Sequence, residues 1–320
     1  MPHANMAHWR SLITGEPMTA YVPPKSPEDL IARRPNSAKL FNHLNVDLPE
    51  VGAVHGHVVM RSDPARTPTA EIYAPQGSGP FPVLLHIHGG GWFAGSAENE
   101  RKLGMQFAAA GFLVVNLDYA LAPEHPFPKG LEDCVYAARW IVRHIERFGG
   151  DSSRLAIGGG SAGGNLSACT VLALHGSDDG LEGGDLAGVP VRFRAAVLQF
   201  GVLDVHRWIA EPHYYAGVSE VYVAAYLGPN FTGRLREPLV SPIHNPHLAT
   251  MPPTYLTCGA EDAFLSHSLA MTQALTLVDV PTTLSVIEDA DHEFLKIPHV
   301  VPAAAGELRR IIEWLHAHLD

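Results

Sequence analysis

The sequence predicts an α/β protein in which helices flank both faces of a mostly parallel β-sheet. Three observations support this class: short apolar runs recur along the chain, helical patterns fall between them, and a hydrophobic fraction of 46% accompanies only 17% charged residues. Apolar runs of this length are typical of strands buried on both faces. Alternation of strands and helices favours parallel pairing through right-handed connections.

The predicted strands begin near residue 58, after a first stretch of about fifty residues in which prolines interrupt short helices. The early runs are brief, and the later ones are nearly continuous in apolar residues. Helices are expected between and after them. The strands are predicted at 58–62, 70–74, 82–88, 112–118, 154–157, 193–200, 255–258 and 282–287, and the helices at 129–148, 161–174, 266–278 and 303–318.

One stretch interrupts this rhythm. Residues 204–246 contain no good strand and are rich in Trp and Tyr, so we interpret them as an insertion over the strand ends. The predicted organisation is an N-terminal cap segment at 1–55, a catalytic core at 56–203 and 247–320, and a cap insertion at 204–246.

Composition narrows the classes of partner and location. The net charge of −11 disfavours binding to nucleic-acid phosphates. The N-terminus has no signal-peptide pattern, and no apolar run is long enough to span a membrane. The three cysteines, Cys134, Cys169 and Cys258, are far apart, so we expect buried thiols in a reducing compartment and a cytoplasmic protein. Homodimers are common among such proteins, although no residue here argues for one.

The strongest local signal is Gly159-Gly160-Ser161-Ala162-Gly163, between a predicted strand and a predicted helix. This pattern is typical of a tight turn that exposes a nucleophilic serine, and its glycines prevent collisions with neighbouring backbone. Taken alone it also fits a structural glycine turn. The spacing Gly158-x-Gly160-x-x-Gly163 matches a dinucleotide fingerprint as well, but no acidic residue ends the following strand.

A second glycine-rich segment, His88-Gly89-Gly90-Gly91-Trp92, follows the strand predicted at 82–88. Backbone N–H groups in such a loop can bind a developing oxyanion, together with the N–H of the residue after the nucleophile. The predicted donors are Gly90, Gly91 and Ala162.

A nucleophilic serine needs a base and an orienting carboxylate, which this architecture supplies in the order Ser, Asp or Glu, His. Asp262 and His292 both follow predicted strands, so they should reach the same edge of the sheet. The alternatives for the acid are Glu261, Asp289 and Asp291. Those for the base are His267 and His299.

These motifs together resemble the hormone-sensitive-lipase-like family of α/β-hydrolase esterases. The resemblance covers roughly residues 75–300 and rests on segments in the family's order. They are His88–Trp92, Asp118–Pro128, Asp151–Arg154, Ser161–Leu166, Pro238–Pro242, Gly259–Asp262 and His292–Phe294.

The resemblance implies the α/β-hydrolase fold, with an eight-stranded, mostly parallel sheet flanked by helices and covered by a helical cap. It implies a serine carboxylesterase in which Ser161, Asp262 and His292 form the triad, without a metal or an organic cofactor. The sequence departs from the usual pattern at Gly160, Ala120, Ala263 and Glu293, where the family commonly has Asp, Arg, Pro and Gly.

Two other functions are alternatives. A ligand-binding relative that has lost the triad histidine is disfavoured because His292 is present. A metal site at His55-Gly56-His57 or His86-Ile87-His88 is the second alternative, because alternate residues of a strand share a face.

The predicted substrate is a small-molecule ester with a short to medium acyl chain. Aromatic residues of the insertion and of the glycine loop are expected to line a modest apolar pocket. The candidates named for substrate binding are Trp92, Phe93, Trp208, Tyr214 and Tyr215, with Tyr222 and Tyr226 as further aromatics of the insertion.

Overall fold

A computed structural model gives the fold of the 320-residue chain. The structure describes residues 22–61, 68–176, 181, 184–213, 217–298 and 301–320. Within these ranges, no helix combines the length and the apolar character that crossing a lipid bilayer requires.

A single eight-stranded sheet forms the centre of the molecule, as predicted, with strand order β1-β2-β4-β3-β5-β6-β7-β8. The pairs β1–β2 and β2–β4 are antiparallel, and all later pairs are parallel. The strands are β1 (Ala53–Val59), β2 (Thr69–Ala74), β3 (Phe81–Ile87), β4 (Leu113–Asp118), β5 (Gly150–Gly160), β6 (Ala195–Gln199), β7 (Thr254–Gly259) and β8 (Thr282–Ile287).

Helices connect the strands and cover the sheet. Buried apolar residues form one large cluster on each face of the sheet, so the sheet is the middle of three layers. The helices are α1 (Pro27–Asn42), α2 (Arg101–Ala109), α3 (Lys129–His144), α4 (Ala162–His175), α5 (Val205–Ala210), α6 (Ser219–Leu227), α7 (Leu265–Leu277) and α8 (Ala303–Leu319).

The N-terminal region differs most from the sequence prediction. Instead of short helices interrupted by prolines, the structure has the 16-residue helix α1 with Pro35 inside it. Because proline has no N–H, the carbonyl of Ile31 loses its helical hydrogen bond. Pro35 and Ile31 are both exposed, so water can satisfy this carbonyl. Strand β1 begins at Ala53, inside the segment predicted as 1–55. Helix α2 was not predicted, because its nine residues show only a short amphipathic pattern.

Helices α1 and α6 meet above the carboxyl edge of the parallel strands. Leu30 of α1 and Ala225 of α6 share a small buried cluster with Phe93 and Ala94, which follow the glycine loop. Arg34 of α1 donates to the carbonyl oxygen of Phe93 at 2.7 Å and forms an ion pair with Glu124 at 2.8 Å. The N-terminal helix therefore lies against the loop that the sequence analysis singled out.

Candidate active site

Ser161 lies on a sharp turn between β5 and α4. Its backbone angles, φ 56° and ψ −118°, are strained for a residue with a side chain. The flanking glycines let this turn approach the end of β3, since a Cβ on Gly159 or Gly163 would lie 2.2 Å or 2.0 Å from the carbonyl oxygen of Ile87. The turn places Ser161 at the N-terminus of α4, where the helix dipole favours nearby negative charge.

Ser161, His292 and Asp262 form one chain of hydrogen bonds. His292 Nδ1 lies 2.8 Å from Asp262 Oδ2, and His292 Nε2 lies 3.0 Å from Ser161 Oγ. Because the carboxylate of Asp262 accepts hydrogen bonds, Nδ1 carries the proton and Nε2 is left to accept from the serine hydroxyl. The arrangement can remove the serine proton when the hydroxyl attacks an electrophile.

The loops after β7 and β8 hold the acid and the base. The backbone N–H of Phe264 donates to Asp262 Oδ1 at 2.8 Å, and the Asp262 side chain is fully buried. The backbone N–H of His292 donates to the carboxylate of Asp291 at 2.7 Å. The Asp262 carboxylate, which contacts Nδ1 of His292, is therefore positioned before a substrate binds.

The electrostatic environment of His292 favours the protonated imidazole. Burial by itself lowers the pKa of His292, but the charge of Asp262 and its hydrogen bond, followed by the charges of Glu293 and Asp291, outweigh burial and raise this pKa. The imidazolium that forms when Ser161 loses its proton is thus stabilised where it arises.

The other candidates for acid and base are placed differently. Glu261 and Asp289 are exposed to solvent. His267 is buried, and its Nδ1 accepts a hydrogen bond from the backbone N–H of Asp204 at 3.2 Å. His299 is outside the described residues, and the carboxylate of Asp291 accepts from the backbone of His292 rather than from its ring.

The glycine loop after β3 adopts backbone angles that suit glycine. Gly90 and Gly91 have φ values of 114° and 61°, and the carbonyl oxygen of Gly90 accepts from the backbone N–H of Ala94 at 2.9 Å. In the described part of the chain, no acceptor receives the N–H of Gly90 or Gly91. Both residues line the same cavity as Ser161, so these donors are available to an oxyanion there.

The cavity above Ser161 encloses about 630 Å³, including its mouth, which opens to solvent. Its wall is mainly apolar, and it combines the glycine loop, the serine–histidine pair and aromatic rings from the insertion. The described residues that line it are Ser37, Gly90, Gly91, Phe93, Ala94, Ser161, Val202, Trp208, Tyr222, Phe264, His292 and Glu293.

The predicted substrate-binding residues separate into three groups. Phe93 and Trp208 line the cavity. Trp92 does not, because its ring is buried behind the loop and stacks on Tyr226 with centroids 4.3 Å apart. Tyr214 and Tyr215 are outside the described residues.

Sequence reasoning missed several residues of the cavity wall. Phe264 is only two positions after Asp262, a proximity that could have indicated it. Ser37 lies on α1, which was not predicted as one helix. Val202 lies in the loop after β6.

Phe200 explains one departure from the family pattern. A Cβ on Gly160, where relatives usually have Asp, would lie 2.6 Å from the Phe200 ring. That ring contacts the imidazole of His292 edge-on, with centroids 5.0 Å apart. An aromatic residue thus fills the space beside the base that a longer side chain at position 160 would otherwise occupy.

The two histidine pairs of the metal hypothesis are not arranged as ligand sets. His86 Nε2 lies 2.7 Å from the carboxylate of Glu100, and His88 stacks on Tyr119. Across the described residues, no cluster of three His, Cys, Asp or Glu side chains could hold a metal ion. All three cysteines are buried and outside any disulfide, as the sequence predicted.

The sequence of this chain is similar to those of several known proteins. The profile of a family described as having an alpha/beta hydrolase fold matches residues 84–296. The carboxylesterase NlhH of Mycobacterium tuberculosis is 30% identical over 232 residues, which cover 70% of each chain. Hormone-sensitive lipase of Bos taurus is 36% identical over 118 residues, covering 37% of this chain and 15% of that protein.

Solved structures agree with the sequence matches. The structure of a bacterial heroin esterase has a TM-score of 0.79 and 27% identity, and the alignment covers 93% of this chain and 95% of that one.

Proposed function

This chain belongs to the α/β-hydrolase family, in its hormone-sensitive-lipase-like group, and from that premise we propose how it acts as a serine carboxylesterase. Its reaction is the hydrolysis of carboxylic esters. We propose Ser161 as the nucleophile, His292 as the general base and acid, and Asp262 as the residue that orients the imidazole. The observation that carries this assignment is the continuous hydrogen-bonded chain from Asp262 through His292 to Ser161 at the cavity.

The proposed reaction proceeds in two halves. His292 takes the proton of Ser161 as the hydroxyl attacks the ester carbonyl, and the resulting oxyanion accepts hydrogen bonds from the N–H groups of Gly90, Gly91 and Ala162. His292 then gives its proton to the departing alcohol. Water, activated by the same imidazole, attacks the acyl-enzyme and releases the acid.

The proposed substrates are small-molecule esters with short to medium acyl chains. Phe93, Trp208, Tyr222 and Phe264 supply an apolar wall beside Ser161, as is typical of small-molecule sites. We further propose that α1 and the segment 204–246 form the cap, because Leu30 and Ala225 pack together above the glycine loop. The cytoplasmic location and a homodimer stay predictions from the sequence.

Chain-length dependence tests this proposal. The purified protein and its Ser161→Ala variant are assayed with p-nitrophenyl acetate, butyrate and octanoate, with a chelator present throughout. We expect turnover by the parent protein, highest for the soluble short and medium esters, and a loss of several orders of magnitude in the variant. Faster hydrolysis of long-chain triglyceride emulsions than of butyrate esters would contradict the substrate class, and full activity of Ser161→Ala would contradict the nucleophile.

A further inference from the structure

A charged side chain follows the proposed base directly and faces the substrate cavity. Glu293 has a φ of 62°, in the left-handed region that favours glycine, and the family pattern usually has glycine at this position. A residue with a side chain persists in that conformation when its surroundings hold it there. The contacts of the Glu293 carboxylate therefore indicate what role this side chain has.

Glu293 is held by a buried group of charges. The Lys296 Nζ lies 3.0 Å from Glu293 Oε1 and 2.7 Å from Glu100 Oε1. Glu100 also accepts from the backbone N–H of Gly89 at 2.9 Å and lies 2.7 Å from His86 Nε2. The group thus connects the loop that carries His292 to the glycine loop that carries the oxyanion donors.

Lys296, the buried partner of Glu293, and Glu100, which shares it, are both ionised. Burial lowers the pKa of Lys296, but the charges of Glu100 and Glu293 outweigh it and raise this pKa. Burial raises the pKa of Glu100, yet the charge of Lys296 and the hydrogen bond with His86 hold it well below its usual range. One ammonium group is therefore shared between two carboxylates, which leaves the three side chains with an excess of negative charge.

This excess charge is close to the reacting atoms. Glu293 lines the cavity, and its side chain is 20% exposed. A methyl group on Gly89 would lie 3.5 Å from both Glu293 Oε1 and the Cβ of Ser161, so the carboxylate is near the nucleophile. Apart from His292, the other described residues of the cavity wall have side chains that are uncharged at neutral pH.

We propose that Glu293 is a specificity-determining residue, which favours esters carrying a cationic group near the scissile bond and disfavours esters carrying an anionic one. The inference deepens the proposed esterase function and rests on it. In a partly enclosed cavity, a fixed carboxylate attracts a quaternary ammonium group and repels a substrate carboxylate, and the apolar rings around it reduce screening by water. Trp208, Tyr222 and Phe93 can additionally contact the cation through their ring faces.

Two sets of esters that differ mainly in the charge of one terminal group test this proposal. With the charge on the alcohol, they are acetylcholine, its neutral isostere 3,3-dimethylbutyl acetate and the anion 4-acetoxybutyrate. With the charge on the acyl group, they are the p-nitrophenyl esters of 5-(trimethylammonio)pentanoate, hexanoate and hydrogen glutarate. Acid release is followed at a pH where activity no longer varies, and each charged ester is compared with the neutral ester of its set for the same protein.

We expect the parent protein to favour the cationic over the neutral ester about tenfold in kcat/KM, and to disfavour the anionic ester similarly, in at least one set. Glu293→Gln should reduce both ratios toward one. Glu293→Gly, which also suits the left-handed backbone, should do the same and serves as the second variant if the first does not fold. Glu313→Gln, on the exposed side of α8, removes the same charge outside the cavity wall and should leave both ratios unchanged.

The outcomes distinguish a failure of the specificity role of Glu293 from a failure of the esterase function. Equal turnover of all three esters in both sets by the parent protein, or unchanged ratios in both Glu293 variants, overturns the specificity role while leaving the esterase function intact. An absence of turnover of every ester, neutral ones included, by the folded parent protein overturns the esterase function itself, and the specificity inference with it.

Discussion

The Nε2 atom of His292 lies 3.0 Å from the Oγ atom of Ser161, although 131 positions separate the two residues in sequence. The contact exists because β5 and β8 both end at the carboxyl edge of one sheet, where the turn after β5 and the loop after β8 meet. The fold thus brings two residues from distant parts of the sequence within hydrogen-bonding distance of each other.

Replacing Asp262 with Asn should inactivate the enzyme without unfolding it. An amide NH2 group facing Nδ1 would favour the tautomer that places the proton on Nε2, which can then no longer accept from Ser161. We expect kcat to fall about 10⁴-fold with p-nitrophenyl butyrate, at nearly unchanged KM. Asp289→Asn, at an exposed position three residues before His292, is the matched control and should retain activity. A similar loss in both variants would contradict the assignment of Asp262.

The pH profile should report the environment of His292. The imidazole must be neutral to accept the serine proton, so activity falls as pH drops below its pKa. Since Asp262, Glu293 and Asp291 together raise this pKa despite burial, the acidic limb of kcat/KM should have its midpoint above about 6.5, the ordinary histidine value. Glu293→Gln should move the midpoint to lower pH, and Glu313→Gln should not. A midpoint below 6 in the parent protein would show that burial dominates instead.

The glycine loop should not tolerate a side chain at Gly90. A Cβ there would lie 2.2 Å from the carbonyl oxygen of Ala94, at a φ of 114°. Gly90→Ala should therefore displace the loop and lower kcat/KM by at least about 10²-fold, the effect of losing one oxyanion donor. Gly188→Ala is the control, because Gly188 also has a positive φ but has no atom within 4 Å of a Cβ. Near-parental activity of Gly90→Ala would argue against this loop as the oxyanion site.

His267 should make folding stability depend on pH. Burial outweighs the charge of Asp204 and lowers the pKa of His267 to about 4, whereas the unfolded chain titrates near 6.5. Between these values the unfolded state binds more protons, so this residue should reduce the free energy of unfolding by up to about 3 kcal/mol as pH falls from 7 to 4. Urea unfolding of the parent protein and of His267→Gln should give curves that converge toward low pH. Parallel curves would contradict this role.

The sequence predicted the centre of the sheet well because strands such as β3, β4 and β6 are buried on both faces and therefore form nearly continuous apolar runs. The predicted strand at 282–287 coincides with β8, and the strand predicted at 58–62 overlaps β1 only at residues 58 and 59. The other strands differ mainly at their ends. Helix α1 was missed as a single element because Pro35 normally ends a helix. The contacts of Leu30 and Arg34 with the loop around Phe93, which hold α1 in place, come from a region of the sequence about sixty positions away.

The sequence motifs predicted the proposed catalytic residues better than they predicted the residues of the cavity wall. Ser161, Asp262 and His292 each follow a strand, and a shared sheet edge is enough to predict their meeting. The wall depends instead on which way each side chain faces. Trp92, next to the glycine loop, turns into the core and stacks on Tyr226, whereas its neighbour Phe93 lines the cavity. Likewise, no short-range pattern indicates that Lys296 pairs with Glu100 across 196 positions.

Direct detection of the acyl-enzyme tests whether Ser161 is the nucleophile. The protein is quenched in acid during turnover of p-nitrophenyl butyrate, digested and analysed by mass spectrometry, beside the Ser161→Ala and Ser37→Ala variants. Ser37 lines the same cavity and is the matched serine control. We expect a butyryl group on the peptide of Ser161 in the parent protein and in Ser37→Ala, and none in Ser161→Ala. Turnover by the parent protein with acylation at a serine other than Ser161, or continued turnover by Ser161→Ala, would contradict this expectation.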